Sequence, residues 1–141
     1  MQFTPVLLKA PRPETILADD ATLGEKIRHK RLQDKLTQKE AAVLIGVGAF
    51  TVLNWEKGNT TPLPKEWPGL IRFLGYVPLP KPASLSDRLH YVRCIRGWSI
   101  KEAGSAAGIH EETWGYWERG QNLPQKRMKE RIERFLASEI G

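Results

Sequence analysis

Cysteine is nearly absent. Cys94 is the only one in 141 residues, which excludes a disulfide framework and points to a reducing compartment. No apolar run approaches the roughly 20 residues that a membrane-spanning helix needs. The first residues also lack the basic start and apolar stretch of a secretory leader. Together these absences predict a cytoplasmic protein with no membrane partner. Catalytic patterns are equally scarce: there is no glycine-rich phosphate loop and no paired-carboxylate signature, and Ser105, Asp87, His90 and His110 lack the spacing of a triad. His90 and Cys94 stand four apart, but no second ligand pair accompanies them, and a structural zinc takes four ligands. The expectation is no enzyme, no metal and no cofactor.

What the chain does contain is a copy of itself. Residues 23–74 align with 85–136 at a constant offset of 62, without a gap and with fourteen identities. These include Arg31/Arg93, Glu40/Glu102, Gly46/Gly108, Trp55/Trp117, Glu56/Glu118 and Gly58/Gly120. A period of that length marks two copies of one small folding unit. The net charge is +6, and its excess lies inside the copies: nine basic against five acidic residues in the first, ten against seven in the second. A localised basic excess suits a polyanionic partner.

The copies read as helical. Thr22-x-x-Glu25 and Thr37-x-x-Glu40 are capping boxes that start two helices, and Ser84-x-x-Asp87 and Ser99-x-x-Glu102 repeat them. Gly46 and Gly108 end the second helix of each copy, and a third follows at once to Gly58 or Gly120. A fourth follows the Pro62 or Pro124 turn, with Pro68 confined to its first turn or splitting it. Between the copies, Val77-Pro78-Leu79-Pro80-Lys81-Pro82 favours polyproline II, a spacer of about 20–25 Å. The expected organisation is a loosely ordered arm over 1–21, a domain over 22–76, a proline-rich linker over 77–83 and a second domain over 84–141.

A helix, a short glycine turn and a second helix form a helix-turn-helix pattern. Ala42 and Gly104, four residues before the turn glycines, are small enough for the two helices to cross closely. Through Leu36-Thr37-Gln38-x-Glu40-x-Ala42 and Trp55-Glu56-Lys57-Gly58, the chain resembles the Cro/C1-type helix-turn-helix family of phage repressors and bacterial regulators. The resemblance implies an all-α fold of two tandem lambda-repressor-like units, each of four to five helices. It implies double-stranded DNA as partner, in a bacterial or phage-type, nucleoid-associated setting. It also implies structural ion pairs, Arg31 with Glu56 and Arg93 with Glu118. The bland alternative for these four is solvated surface charge.

In such a family the third helix enters the major groove. By position that assigns base contacts to Ala49, Phe50 and Asn54, with Asn54 suited to adenine and Ala49 or Phe50 to a thymine methyl. Phe50 and Leu53 suit a core or a protein interface equally well. Gln38, Thr51, Lys57, Asn59 and Thr60 take backbone-positioning roles. The second copy offers Thr113, Tyr116, Arg119, Gln121 and Asn122 at matching positions, but it departs sharply elsewhere. Glu111 and Glu112 replace Ala49 and Phe50, Gly115 replaces Leu53, and Ile100 replaces Gln38. Two carboxylates facing phosphates are repelled. The first copy is therefore the expected base reader of a transcriptional regulator. The second is left with backbone affinity, a different half-site, or contact with a second copy or a partner protein. The competing readings are an architectural or directionality factor of recombination and a protein-interaction module of antitoxin or adaptor type.

Overall fold

The computed structural model describes residues 17–18 and 20–140. The arm expected over 1–21 therefore lies almost entirely outside the described residues. Among them are eight α-helices and no strand: α1 (Leu23–Gln33), α2 (Gln38–Ile45), α3 (Ala49–Lys57), α4 (Trp67–Leu74), α5 (Leu85–Arg96), α6 (Ile100–Ala107), α7 (Glu111–Glu118) and α8 (Lys126–Ile140). Local chemistry sets the starts. The hydroxyls of Thr22, Thr37, Ser84 and Ser99 each accept the amide three residues on, and Glu25, Glu40, Asp87 and Glu102 return the bond to the cap amide, satisfying two orphan donors per helix. The α2–α3 turn is possible because Gly46 adopts φ +95°, a left-handed conformation that is costly for a residue with a Cβ. Pro68 is the second residue of α4, where its missing N–H costs nothing. A single 3-10 turn, Pro64–Glu66, leads into it, with Glu66 accepting the Leu63 amide at 2.7 Å.

Two compact units result. One takes in residues up to Thr61 together with Arg72–Pro78, and the other Pro62–Ile71 together with Leu79 onward. This grouping differs from the expected spans in Pro62–Ile71, which falls with the second unit, and in the expected 77–83 linker, of which Val77–Pro78 falls with the first unit and the rest with the second. For Pro62–Ile71 the reason is packing: the 3-10 turn lies against α5, and Gly97 makes room for Pro68, whose Cγ would come within 2.7 Å of any Cβ there. Gly75 to Ser84 carries no helix.

In the first unit α1 and α2 pack on α3, and Ile27, Ala41, Ala42, Ile45, Val52 and Trp55 are buried. In the second, Leu89, Val92, Ala103, Trp114, Trp117, Ile132 and Leu136 form one core drawn from α5 to α8. The Phe135 ring stands edge-on to Trp114, with centroids 6.4 Å apart. Each large apolar side chain removed from water contributes roughly 1.5–3 kcal/mol. Gly104 lets α6 approach the following turn so closely that a Cβ would lie 2.5 Å from the Ile109 carbonyl oxygen. Ala42 at the matching position of the first unit carries that Cβ and is buried.

Candidate nucleic-acid interface

The geometry of α3 is anchored from behind. Glu56, in its last turn, accepts from Arg31 Nε at 2.7 Å and from Nη2 at 2.9 Å, a two-pronged arrangement that fixes orientation as well as distance. Arg31 and Glu56 are only 12% and 5% exposed, so this pair is not a solvated surface charge. The third guanidinium nitrogen donates to the Leu36 carbonyl at 3.1 Å, which ties the α1–α2 connection to the same point. Gln38 Nε2 donates to Glu56 Oε1 at 3.1 Å. The first residue of α2 and the end of α3 thus meet on one carboxylate.

The second unit builds the same anchor from different donors. Glu118 accepts from Arg93 Nε at 2.9 Å and Nη2 at 2.8 Å, and Arg93 Nη1 reaches the Trp98 carbonyl at 3.3 Å. Ile100 has no donor to offer where Gln38 stands. Trp114, at the position of Val52, supplies one instead, its Nε1 donating to Glu118 at 2.8 Å. His90 Nδ1 lies 3.2 Å from the same carboxylate, and its Nε2 lies 3.5 Å from Cys94 Sγ. These extra donors were missed in the sequence. The paired exchanges Gln38/Ile100 and Val52/Trp114, which move a donor from one helix to another, were the available signal. His90 and Cys94, considered above as half a metal site, are joined to Glu118 instead. Among the described residues no group of three or more His, Cys, Asp or Glu side chains is placed to hold a metal ion.

This cluster titrates. Burial opposes charge on Glu118, but the hydrogen bonds from His90, Arg93 and Trp114 outweigh it and bring the carboxyl from 4.5 down to about 2. His90 is raised above 6.5, by its contact with Cys94 and then by the Glu118 carboxylate, against partial burial. The lowered carboxyl contributes stability that is present above pH 4.5 and lost as pH falls toward 2. The raised imidazole contributes stability that is present below pH 6.5 and lost as pH rises through its folded value. The second unit should therefore be most stable between these limits. Thermal denaturation across pH, with the Trp114 indole N–H followed by NMR, should show His90→Gln flattening the alkaline limb and, through the lost bond to Glu118, weakening part of the acid limb. An unchanged alkaline limb would defeat the assignment.

The outward face of α3 holds most of the residues expected to touch DNA. Ala49 and Lys57 are exposed, Phe50 is 74% exposed, and Thr51 and Asn54 are half-buried. Asn54 donates Nδ2 to the Phe50 carbonyl at 3.0 Å and accepts from Asn59 Nδ2 at 3.1 Å. One N–H and one lone pair of its amide remain, the two groups a bidentate contact to adenine uses. Thr60 is exposed just beyond. Gln38 shares the anchor rather than standing free. On α7, Glu111 and Glu112 are exposed at the first turn. Tyr116 is partly exposed, with the Arg119 guanidinium 5.3 Å from its ring centroid, and Thr113 is half-buried. Gln121 is exposed, and Asn122 has its carbonyl bound by Trp117 Nε1 at 2.8 Å.

A capped helix, a left-handed glycine turn and a second helix locked by a part-buried Arg–Glu pair define the helix-turn-helix class. Residues 27–81 match the helix-turn-helix family model, and this part of the chain carries a DNA-binding helix-turn-helix domain of the Cro/C1 type. No curated protein and no solved structure matches the chain. Among the described residues no helix is long and apolar enough to cross a membrane.

Proposed function

We propose that the chain is a sequence-specific double-stranded DNA-binding protein, most simply a transcriptional regulator, built from two tandem helix-turn-helix units. In this reading α3 is the main base reader: Asn54 contacts adenine, Ala49 or Phe50 packs on a thymine methyl, and Thr51, Lys57, Asn59 and Thr60 position the backbone. The observation that carries it is the contrast between two matched helices. The outer face of α3 is uncharged apart from Lys57 and is set on the part-buried Arg31–Glu56–Gln38 anchor. The matched face of α7 opens with two exposed carboxylates, which phosphates repel. The units share a scaffold and differ in what they touch.

The test is a pair of double variants assayed on duplexes selected by the wild-type protein from a random library. Asn54→Ala with Lys57→Ala should weaken binding by roughly 10–1,000-fold, since a good bidentate base contact is worth about 1–3 kcal/mol and a phosphate contact adds to it. Glu111→Lys with Glu112→Lys should leave the selected sequence unchanged. Wild-type affinity in the first variant would remove α3 as the reader. Failure of the wild type to select any sequence would favour an interaction module.

A further inference from the structure

The fourth helices of the two copies share Arg72/Arg134, Phe73/Phe135 and Leu74/Leu136 but differ in character before them. α4 is apolar along most of its length, whereas α8 carries Lys126, Arg127, Lys129, Arg131 and Arg134, all exposed. Ile132 and Leu136 are buried in the core. Arg127, Arg131 and Arg134, spaced four and three residues apart, stand on the face away from them. Two of the helix's own carboxylates are drawn off by α5: Glu133 pairs with Arg88 at 2.9 Å and Glu139 with Arg96 at 2.6 Å. Among the described residues, none of the three stripe arginines has a carboxylate partner. Glu130 is the one acidic side chain interleaved with them, and it is exposed. Arg131 Nη2 lies 3.5 Å from the carbonyl of Gly108, so the stripe passes beside the α6–α7 turn. The matched residues of the first copy are Lys65, Gly69 and Arg72; the arginine row is a property of the second copy, not of the shared scaffold.

We propose that the Arg127–Arg131–Arg134 face of α8 is a phosphate-binding surface through which the second unit holds the backbone of double-stranded DNA without reading its sequence. The proposal rests on the DNA-binding reading above. A guanidinium presents a planar fork of donors matched to phosphate oxygens. The seven-residue separation of Arg127 and Arg134 is about 10.5 Å of helix, close to three phosphate-to-phosphate steps of one strand at roughly 3.4 Å each along the duplex axis. Three arginines on this face therefore reach phosphates within a run of about four without rearranging the helix. The acidic start of α7 disfavours insertion of that helix into a groove, and α8 supplies the attraction that α7 lacks.

The experiment is fluorescence anisotropy of the full chain on a mixed-sequence DNA duplex between roughly 50 and 200 mM salt, where each lost phosphate contact lowers the log–log salt slope by about 0.9. Arg127→Gln/Arg131→Gln/Arg134→Gln should weaken binding on the order of 10–100-fold and reduce the slope by about 2–3. The matching triple lysine variant should recover most of both. Arg127→Gln and Arg134→Gln alone, which break no hydrogen bond in the structure, should each lower the slope by about 0.9; these keep the test valid should the triple variant fold poorly. Unchanged affinity and slope in all of them, with binding by Asn54→Ala/Lys57→Ala still reduced, would overturn the stripe and leave the base-reading helix standing. A wild-type chain that binds no duplex would overturn both.

Discussion

Replacing Glu118 with alanine is expected to lower the stability of the second unit by about 3–5 kcal/mol, the range for breaking one side of a buried ion pair. The carboxylate receives bonds from Arg93, Trp114 and His90. Its loss leaves a guanidinium that is 12% exposed and an indole N–H without an acceptor. An unsatisfied buried donor costs more than the bond was worth when made. Trp114→Phe removes one donor and replaces the indole with a smaller phenyl ring, so it should cost about 1 kcal/mol for the hydrogen bond plus about 1 kcal/mol for the cavity left in the core. Urea denaturation followed by tryptophan fluorescence measures both. A loss below about 1 kcal/mol for Glu118→Ala would assign Arg93 and Glu118 to ordinary surface charge.

Trp55→Ala should unfold most of the first unit. The side chain is 2% exposed, and truncating a buried tryptophan costs about 3–5 kcal/mol in lost transfer energy and cavity. A unit of this size holds roughly 3–8 kcal/mol in total, so little remains. The position also fixes the backbone: a Cβ on Gly24 would lie 2.4 Å from the Trp55 carbonyl oxygen, so α1 and the end of α3 meet with no slack. The expected result is collapse of amide dispersion for α1–α3 in an NMR spectrum, with duplex binding lost alongside. A folded first unit with a melting point near wild type would sink the prediction.

Much of the fold was legible because its signals are local. The capping hydroxyls, the returning carboxylates and the turn glycines act within three or four residues, so the starts of α1, α2, α5 and α6 and the ends of α2, α3 and α6 could be placed from the chain itself. The outer face of α3 was legible for the same reason, since the helical period alone decides which side chains share a face. The Glu118 cluster was not. Trp114 turns its ring into the core while its indole nitrogen reaches Glu118 one turn on in the same helix, and the cluster is completed only where α5 brings Arg93 and His90 to that carboxylate. Gln38 was read as a backbone contact; that its amide nitrogen also donates to Glu56 follows only from the crossing of α2 and α3 near that carboxylate.

By itself, then, the sequence determined an all-α chain, two matched sets of helix signals, and an outward α3 face that α7 does not share. These follow from short-range hydrogen bonding and periodicity, which need no partner element. Tertiary structure decided which donors converge on Glu56 and Glu118, that Pro62–Ile71 packs with the second unit, and which arginines of α8 keep no carboxylate among the described residues. Apart from the Trp114–Glu118 bond within α7, these depend on side chains 18 or more residues apart reaching the same few ångströms, and only the packed core sets that distance.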